Sequence, residues 1–361
     1  MASMESALAG RTRRRILLGG AATGSLAAIG RGRAADPVTV NVAAYGGVIN
    51  DYLSRTFGVP FERQTGIKVN FGTGASLALA RLQASSGAAA QWDIIVLSGS
   101  EYSAAVQQNL IEPYDFATLD PHGRIPAAYR QSHGVKLSLY LFSMCWDKRQ
   151  IPDASAPKTP AEFWDTERFK GKRSLYSNVV DGSVLEMALL ADGVALDKLY
   201  PLDVDRALRS LNRLGRDNII WHTANQEPIQ QLTSGAVSLA TAFNGRVILA
   251  NRSGAQLNYS PAYSGVSGSP YTVSRASTKK REAFQLLSFM LTNPEAGAEY
   301  MQQTRYALPN TEALKLVPQE VLDELPTSPA LQDKVFLKSD AWWAANLATA
   351  TRKFREWQLG G

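Results

Sequence analysis

Apolar and polar residues alternate along Val38-Thr39-Val40-Asn41-Val42-Ala43, and the pattern breaks at Tyr45-Gly46-Gly47, which predicts a strand feeding a glycine turn. A helix is predicted over 48–64, stopped by Thr65-Gly66, and a second short strand over 67–71. The unit repeats as a helix over 77–84, a buried strand over 93–97, and Ser98-Gly99-Ser100 opening another helix. Strands alternating with helices in this way predict an α/β layered fold.

Residues 135–146 are strand-like and too apolar for a surface segment, whereas 151–160 are rich in Pro, Ala and Lys, so a boundary is expected near residue 146. Thr159-Pro160-Ala161-Glu162 combines an N-cap threonine, a proline at the first helical position and a glutamate at the capping-box position. Helices are expected over 183–192 and 203–214, each stopped by a glycine, with strands over 173–176, 219–221, 237–243 and 256–259. Beyond Tyr271-Thr272-Val273 the pattern turns helical over 279–291, 294–303, 314–324 and 340–357, with no new strands to cover. The economical arrangement is a two-lobed α/β fold, each lobe a mixed sheet flanked by helices. Residues 36–145 begin lobe 1, residues 146–267 form lobe 2, and residues 268–361 return to lobe 1 and add C-terminal helices, so two crossings make a hinge.

Charge changes this picture little once it is located. The chain carries a net +6, but residues 1–34 hold six arginines against one glutamate, which leaves +1 for the rest and implies no nucleic-acid surface. Within residues 1–35, Thr12-Arg13-Arg14-Arg15-Ile16-Leu17-Leu18 opens a weakly apolar run to Ile29, and Ala34-Ala35 closes it. This resembles a twin-arginine export signal and implies a periplasmic protein exported already folded. The alternative, a membrane anchor, is disfavoured by Gly19, Gly20 and Gly24 and by a length below the ~20 apolar residues of a span. The single cysteine, Cys145, lies in an apolar stretch and reads as core packing.

Several strings together carry a resemblance: Phe61-Glu62-Arg63-Gln64-Thr65-Gly66-Ile67-Lys68-Val69, Trp92-Asp93-Ile94-Ile95-Val96, Pro160-Ala161-Glu162-Phe163-Trp164-Asp165, Phe169-Lys170-Gly171-Lys172-Arg173, Phe243-Asn244-Gly245-Arg246 and Asn293-Pro294-Glu295-Ala296. In order and spacing the chain resembles the spermidine/putrescine-type periplasmic solute-binding proteins of ABC importers. The resemblance implies a type II-like binding-protein fold, a monomer closing two lobes on a small organic solute, and delivery to permease subunits in the inner membrane. No cofactor or metal is expected.

The residues also favour a binder over an enzyme. His122, His133 and His222 are too scattered to read as a metal cluster or a Ser-His-acid set, and no GxxxxGK[ST] occurs. Asp203 and Asp205 form a tempting acid pair, but they open a helix, where acids suit the dipole. Ligands of open α/β sheets sit beyond the carboxyl ends of strands, which selects the candidate residues. Tyr45 and Gly46 end the first strand, as a binding edge or a plain turn. Ser98 and Ser100 either face an anionic group or cap their helix. Asp181 either faces an amine or caps the next helix. By resemblance Phe243 lines the cleft and stacks on the solute. Asn244 adjoins it, and Trp221, Ser269 and Tyr271 complete the set.

Arg246 is unusual for a cation pocket: its paired donors match a carboxylate, unless it pairs with a neighbouring acid at the lobe surface. Polyamine binders usually place Trp and Asp before the returning strand, where this chain reads Val266-Ser267-Gly268-Ser269-Pro270-Tyr271. The expected ligand therefore carries a carboxylate, amino-acid-like or opine-like. The alternatives are a polyamine held by relocated acids such as Asp181 or Glu186, a ferric ion, for which the usual adjacent tyrosine pair is absent, and a bilobal enzyme acting on a small solute.

Overall fold

Two large buried apolar cores and two smaller ones organise the described residues, and one mixed sheet runs through them. The computed structural model describes residues 37–360, apart from the side chains of Ser100 and Ala128. The export-signal reading of residues 11–35 lies outside the described residues. Among the described residues no helix is long and apolar enough to cross a membrane.

Ten strands make the sheet: β1 (Thr39–Ala43), β2 (Lys68–Gly72), β3 (Ile94–Val96), β4 (Arg130–Gln131), β5 (Gly134–Asp147), β6 (Arg173–Tyr176), β7 (Ile219–His222), β8 (Leu239–Phe243), β9 (Leu257–Val273) and β10 (Phe336–Leu337). Their order is β2-β1-β3-β9-β5-β8-β6-β7, with β4 on β5 and β10 on β9. Strands β1, β2 and β3 run parallel at one end, and β6, β7 and β8 run parallel at the other. Between them β5 and β9 pair antiparallel. Parallel strands at both ends of a mixed sheet, with helices flanking it, make an α/β fold.

The long central strands serve both large cores. Val135, Leu137 and Leu139 of β5 enter the first core with Val40, Phe57, Ile94 and Met301, whereas Met144 and Trp146 enter the second with Phe163, Leu185 and Leu211. The register of β5 on β9 breaks between Phe142 and Met144, where Tyr263 of β9 takes a positive φ of 60°. A bulge of this kind bends and twists a ladder. The short strand expected over 256–259 is thus the start of one 17-residue strand that runs to Val273. Alternation had hidden this, because Gly265, Gly268 and Pro270 read as breakers.

Other expectations meet physical detail. The helical run 48–65 is continuous but widens to a π turn at Ser54–Gly58, just ahead of Pro60, which has no N–H to give. It stops at Gly66 with φ 74°, the left-handed conformation glycine tolerates best. Thr159 accepts from the Glu162 amide as its cap, but the Glu162 carboxylate reaches back to the Lys158 amide. The helix expected over 314–324 is corrected to two single turns, Thr311–Leu314 and Gln319–Leu322, separated by Pro318. The helix Asp340–Gln358 packs Trp343, Phe354 and Trp357 into the second core, so the returning chain serves both large cores. Asp203 caps its helix at the Arg206 amide, and Asp205 pairs with Lys353, so neither acid of that pair is free for chemistry. Cys145 is fully buried, and its thiol, pushed up by burial, donates to the Ala240 carbonyl.

Arg173 explains the Phe169-Lys170-Gly171-Lys172-Arg173 string. Its fully buried guanidinium donates to the carbonyls of Phe163, Gly171 and Asp165, tying the loop before β6 to the preceding helix. Burial pulls its pKa down to about 10, so it stays charged at neutral pH. Arg173→Met should strand three carbonyls and cost about 3 kcal/mol or more, read from urea unfolding.

Candidate functional site

A cavity of about 300 Å³ opens where the carboxyl ends of the parallel strands from both ends of the sheet face each other. The chain leaving β1 brings Tyr45, the chain leaving β3 brings Ser98, that leaving β6 brings Asn178 and Asp181, that leaving β7 brings Asn225, and that leaving β8 brings Arg246. The floor comes from β5 and β9. Ser138 and Tyr140 lie two residues apart on one face of β5, opposite Ser269 and Ser267, and Tyr271 lies two beyond Ser269 on β9. Tyr300 and Tyr306 close the cavity from the helix Pro294–Thr304 and the chain after it.

Phe243, Asn244, Gly245 and Arg246 each do a different job. Phe243 packs edge-on against Tyr140 at 4.9 Å and Phe142 at 5.0 Å. Asn244, fully buried, accepts from the Leu141 amide and donates to the Arg305 carbonyl, pinning the turn to β5. Gly245 leaves room for Tyr306: a Cβ there would lie 2.4 Å from the ring. Arg246 lines the cavity, and its Nη1 lies 3.6 Å from where a Gly47 Cβ would stand. Among the described residues its guanidinium has no hydrogen bond or ion pair.

The remaining charge on the wall is acidic. Asp181 does not cap the helix Val184–Ala191, whose N-cap position, Ser183, makes no side-chain bond. Its carboxylate accepts from Asn178 Nδ2 at 2.7 Å. Desolvation raises its pKa above the usual carboxylate range; Lys338 opposes this and Glu101 adds to it. Glu101 also lines the cavity, while its carboxylate accepts from the Ser98 and Leu77 amides in a capping box. Ser98 thus both caps and lines. Burial lifts Tyr176 and Tyr306 to about 12, and the positive charge of Arg246 moderates both. Their hydroxyls therefore stay protonated and offer neutral hydrogen bonds.

Of the residues expected from sequence, the cavity gathers Tyr45, Ser98, Asp181, Phe243, Arg246, Ser269 and Tyr271. Gly46, Trp221 and Asn244 lie outside it. Gly46 donates its N–H to Asn50 Oδ1, and Trp221 packs edge-on against Phe354 and Trp357. The side chain of Ser100 is outside the described residues. Glu186 is spent in the second core, accepting from Tyr200 and Trp343. Sequence reasoning passed over Tyr140, Tyr176, Asn178 and Asn225. Asn178 and Asn225 follow strand ends and Tyr176 closes one, so these three carried the same signal as Tyr45. Nothing local marked Tyr300 or Tyr306.

Behind the wall, His222 stacks on Tyr176 at 4.9 Å. The Ser174 hydroxyl donates to Gln231 Oε1, so its oxygen accepts from His222 Nδ1–H. Burial pulls the imidazole down from 6.5 to about 4. As pH falls the unfolded chain takes the proton first, so stability is full above pH 6.5 and is lost toward pH 4, by roughly 3 kcal/mol. His222→Asn, which keeps a donor near Ser174, should flatten that part of the stability–pH curve in urea titrations. Gly245→Ala should cost about 1–3 kcal/mol by overpacking, and clearly less in a Tyr306→Ala background, in a double-mutant cycle of unfolding energies.

Residues 57–333 match the model of the family described as bacterial extracellular solute-binding protein. The chain is 28% identical to the gamma-aminobutyric acid-binding protein of Pseudomonas aeruginosa, over 88% of this chain and 90% of that protein. It is 24% identical to the spermidine/putrescine-binding periplasmic protein of Salmonella typhimurium, over 75% and 79%. Among solved structures it is similar to the PBP AgtB from A. tumefaciens R10 in complex with agropinic acid, at 26% identity, covering 89% of this chain and 99% of that one with a TM-score of 0.79. Sequence match, fold and cavity agree, and the chain belongs to the bacterial extracellular solute-binding protein family.

Proposed function

We propose that this protein is the periplasmic solute-binding component of an ABC importer and takes a small zwitterion, an amino-acid-like or opine-like solute whose carboxylate pairs with Arg246. The observation that carries this reading is the guanidinium of Arg246, which lines the cavity and has no protein acceptor among the described residues. A fork-shaped cation left without a protein partner in a half-open cavity is matched by a carboxylate. Asp181 on the same wall suits an ammonium, with the tyrosines giving neutral hydrogen bonds and Phe243 an apolar face. A volume near 300 Å³ is at the small end for ligand sites and favours a small solute over a peptide. The gamma-aminobutyric acid and agropinic acid of the relatives' names both carry a carboxylate and support the same chemistry.

The lobes of this reading divide near residues 146 and 267 and hinge where β5 and β9 lose register. The protein works as a monomer that hands its solute to permease subunits unaltered. It is no enzyme, and solute recovered after binding should be chemically unchanged. The second reading, a polyamine binder, is favoured by the two cavity acids, Asp181 and Glu101.

Thermal shift separates them. With 4-aminobutanoate at 100 times its Kd the stabilisation should be about 2.7 kcal/mol, a shift of several degrees. Arg246→Ala should weaken binding on the order of 100-fold and cut the stabilisation at that concentration to about 0.4 kcal/mol. A shift with spermidine alone, or one that survives Arg246→Ala at full size, would overturn the carboxylate reading. Mass spectrometry of solute co-purified with the protein gives the ligand's charge class directly.

A further inference from the structure

Asp181 is served by a part of the chain that lies beyond residue 333, where the family match ends. Strand β10 pairs with β9 at Gly265 and Val266, and the Lys338 amide donates to the Val266 carbonyl at 3.3 Å. On one side the Tyr263 amide donates to the Lys334 carbonyl; on the other, Asp340 pairs with Lys136 of β5. The backbone of Lys338 is therefore fixed from both directions, by contacts that do not involve its own side chain. That side chain reaches the Val180 carbonyl, one residue before Asp181.

Asp181 needs such a neighbour. Its carboxylate has one side-chain donor, Asn178, and the same asparagine accepts from the Val180 and Asp181 amides, so the loop is shaped around it. The groups that face it from other elements are Glu101 of the helix Gly99–Gln107, Tyr45 after β1, Tyr140 of β5, Tyr176 of β6 and Lys338. Glu101 is an anion, the tyrosines are neutral, and Lys338 brings the positive charge. An acid enclosed opposite another acid takes up a proton unless a cation stands by it.

We propose that Lys338, bonded to the Val180 carbonyl, is the positioning residue that holds the loop carrying Asp181 against the cavity and sets a positive charge beside it, so that the strap formed by residues 334–340 sets the site's demand for a cationic group on the solute. The role in solute selection rests on the reading that Asp181 faces the ligand; the control of Asp181 does not. Lys338 itself is not placed against the solute.

The test begins without ligand. The carboxyl carbon of Asp181, assigned with Asp181→Asn, is titrated by ¹³C NMR in the wild type, Lys338→Met and Lys338→Arg. Its midpoint should rise by about one pH unit or more in Lys338→Met and return near the wild-type value in Lys338→Arg. An unchanged midpoint overturns the proposal. Should the methionine variant fail to fold, Lys338→Gln carries the same expectation.

Calorimetry from pH 5 to 8 with 4-aminobutanoate and butanoate follows. Lys338→Met should weaken 4-aminobutanoate at least tenfold below the raised midpoint, with butanoate unaffected. Equal loss for both probes marks a collapsed pocket and overturns the role in selection. If the midpoint moves as expected but the wild type takes up neither probe, the control of Asp181 stands and the reading of the ligand fails.

Discussion

The antiparallel pairing of β5 with β9 is the constraint on which the rest of the structure depends. It is the longest ladder in the described chain, and its two strands pass through both large apolar cores. Because strand side chains alternate faces, the register that sets Ser138 opposite Ser269 and Tyr140 opposite Ser267 also sets which residues meet the cavity. A slip by one residue would turn Tyr140 and Tyr271 away and present Leu139 and Leu141, which the cores need. Register and burial thus enforce each other.

Around that floor the site is built from chain ends rather than from regular elements. Parallel strands at both ends of the sheet point their carboxyl termini inward, and the turns that follow supply Tyr45, Ser98, Asp181 and Arg246. Such turns need anchors if their side chains are to stay in place. Asn244 anchors the Arg246 turn between β5 and the end of the helix Pro294–Thr304, Asn178 shapes the Asp181 loop, and the Glu101 carboxylate ties the start of its own helix to the Leu77 amide. Each anchor satisfies polar groups that would otherwise be costly to enclose, so positional order and stability come from the same bonds.

The electrostatics follow from enclosure. Desolvation keeps the tyrosines protonated and strengthens the few full charges that remain. Arg246 and the acid Asp181 line the same cavity without pairing to each other among the described contacts. The proposed solute, bearing both signs, would pair with both.

Much of this was legible in the chain. Alternation marked β1, β2 and β6, glycines marked helix ends, and the strand-end rule picked Tyr45, Asp181 and Arg246, because these signals act over a few residues. The continuity of β9 was hidden, since its glycines and proline sit at a bulge and at close approaches that only the partner strand explains. Trp221 looked like a cleft aromatic, but the C-terminal helix, more than a hundred residues away in sequence, claims it for the second core. Sequence by itself determined most of the elements, their order and the chemical types available at each turn. Tertiary structure alone decided which turns meet, that Tyr300 and Tyr306 join them, and that Lys338 reaches the Val180 carbonyl beside Asp181, because those relations depend on contacts between segments whose separation along the chain leaves no periodic trace.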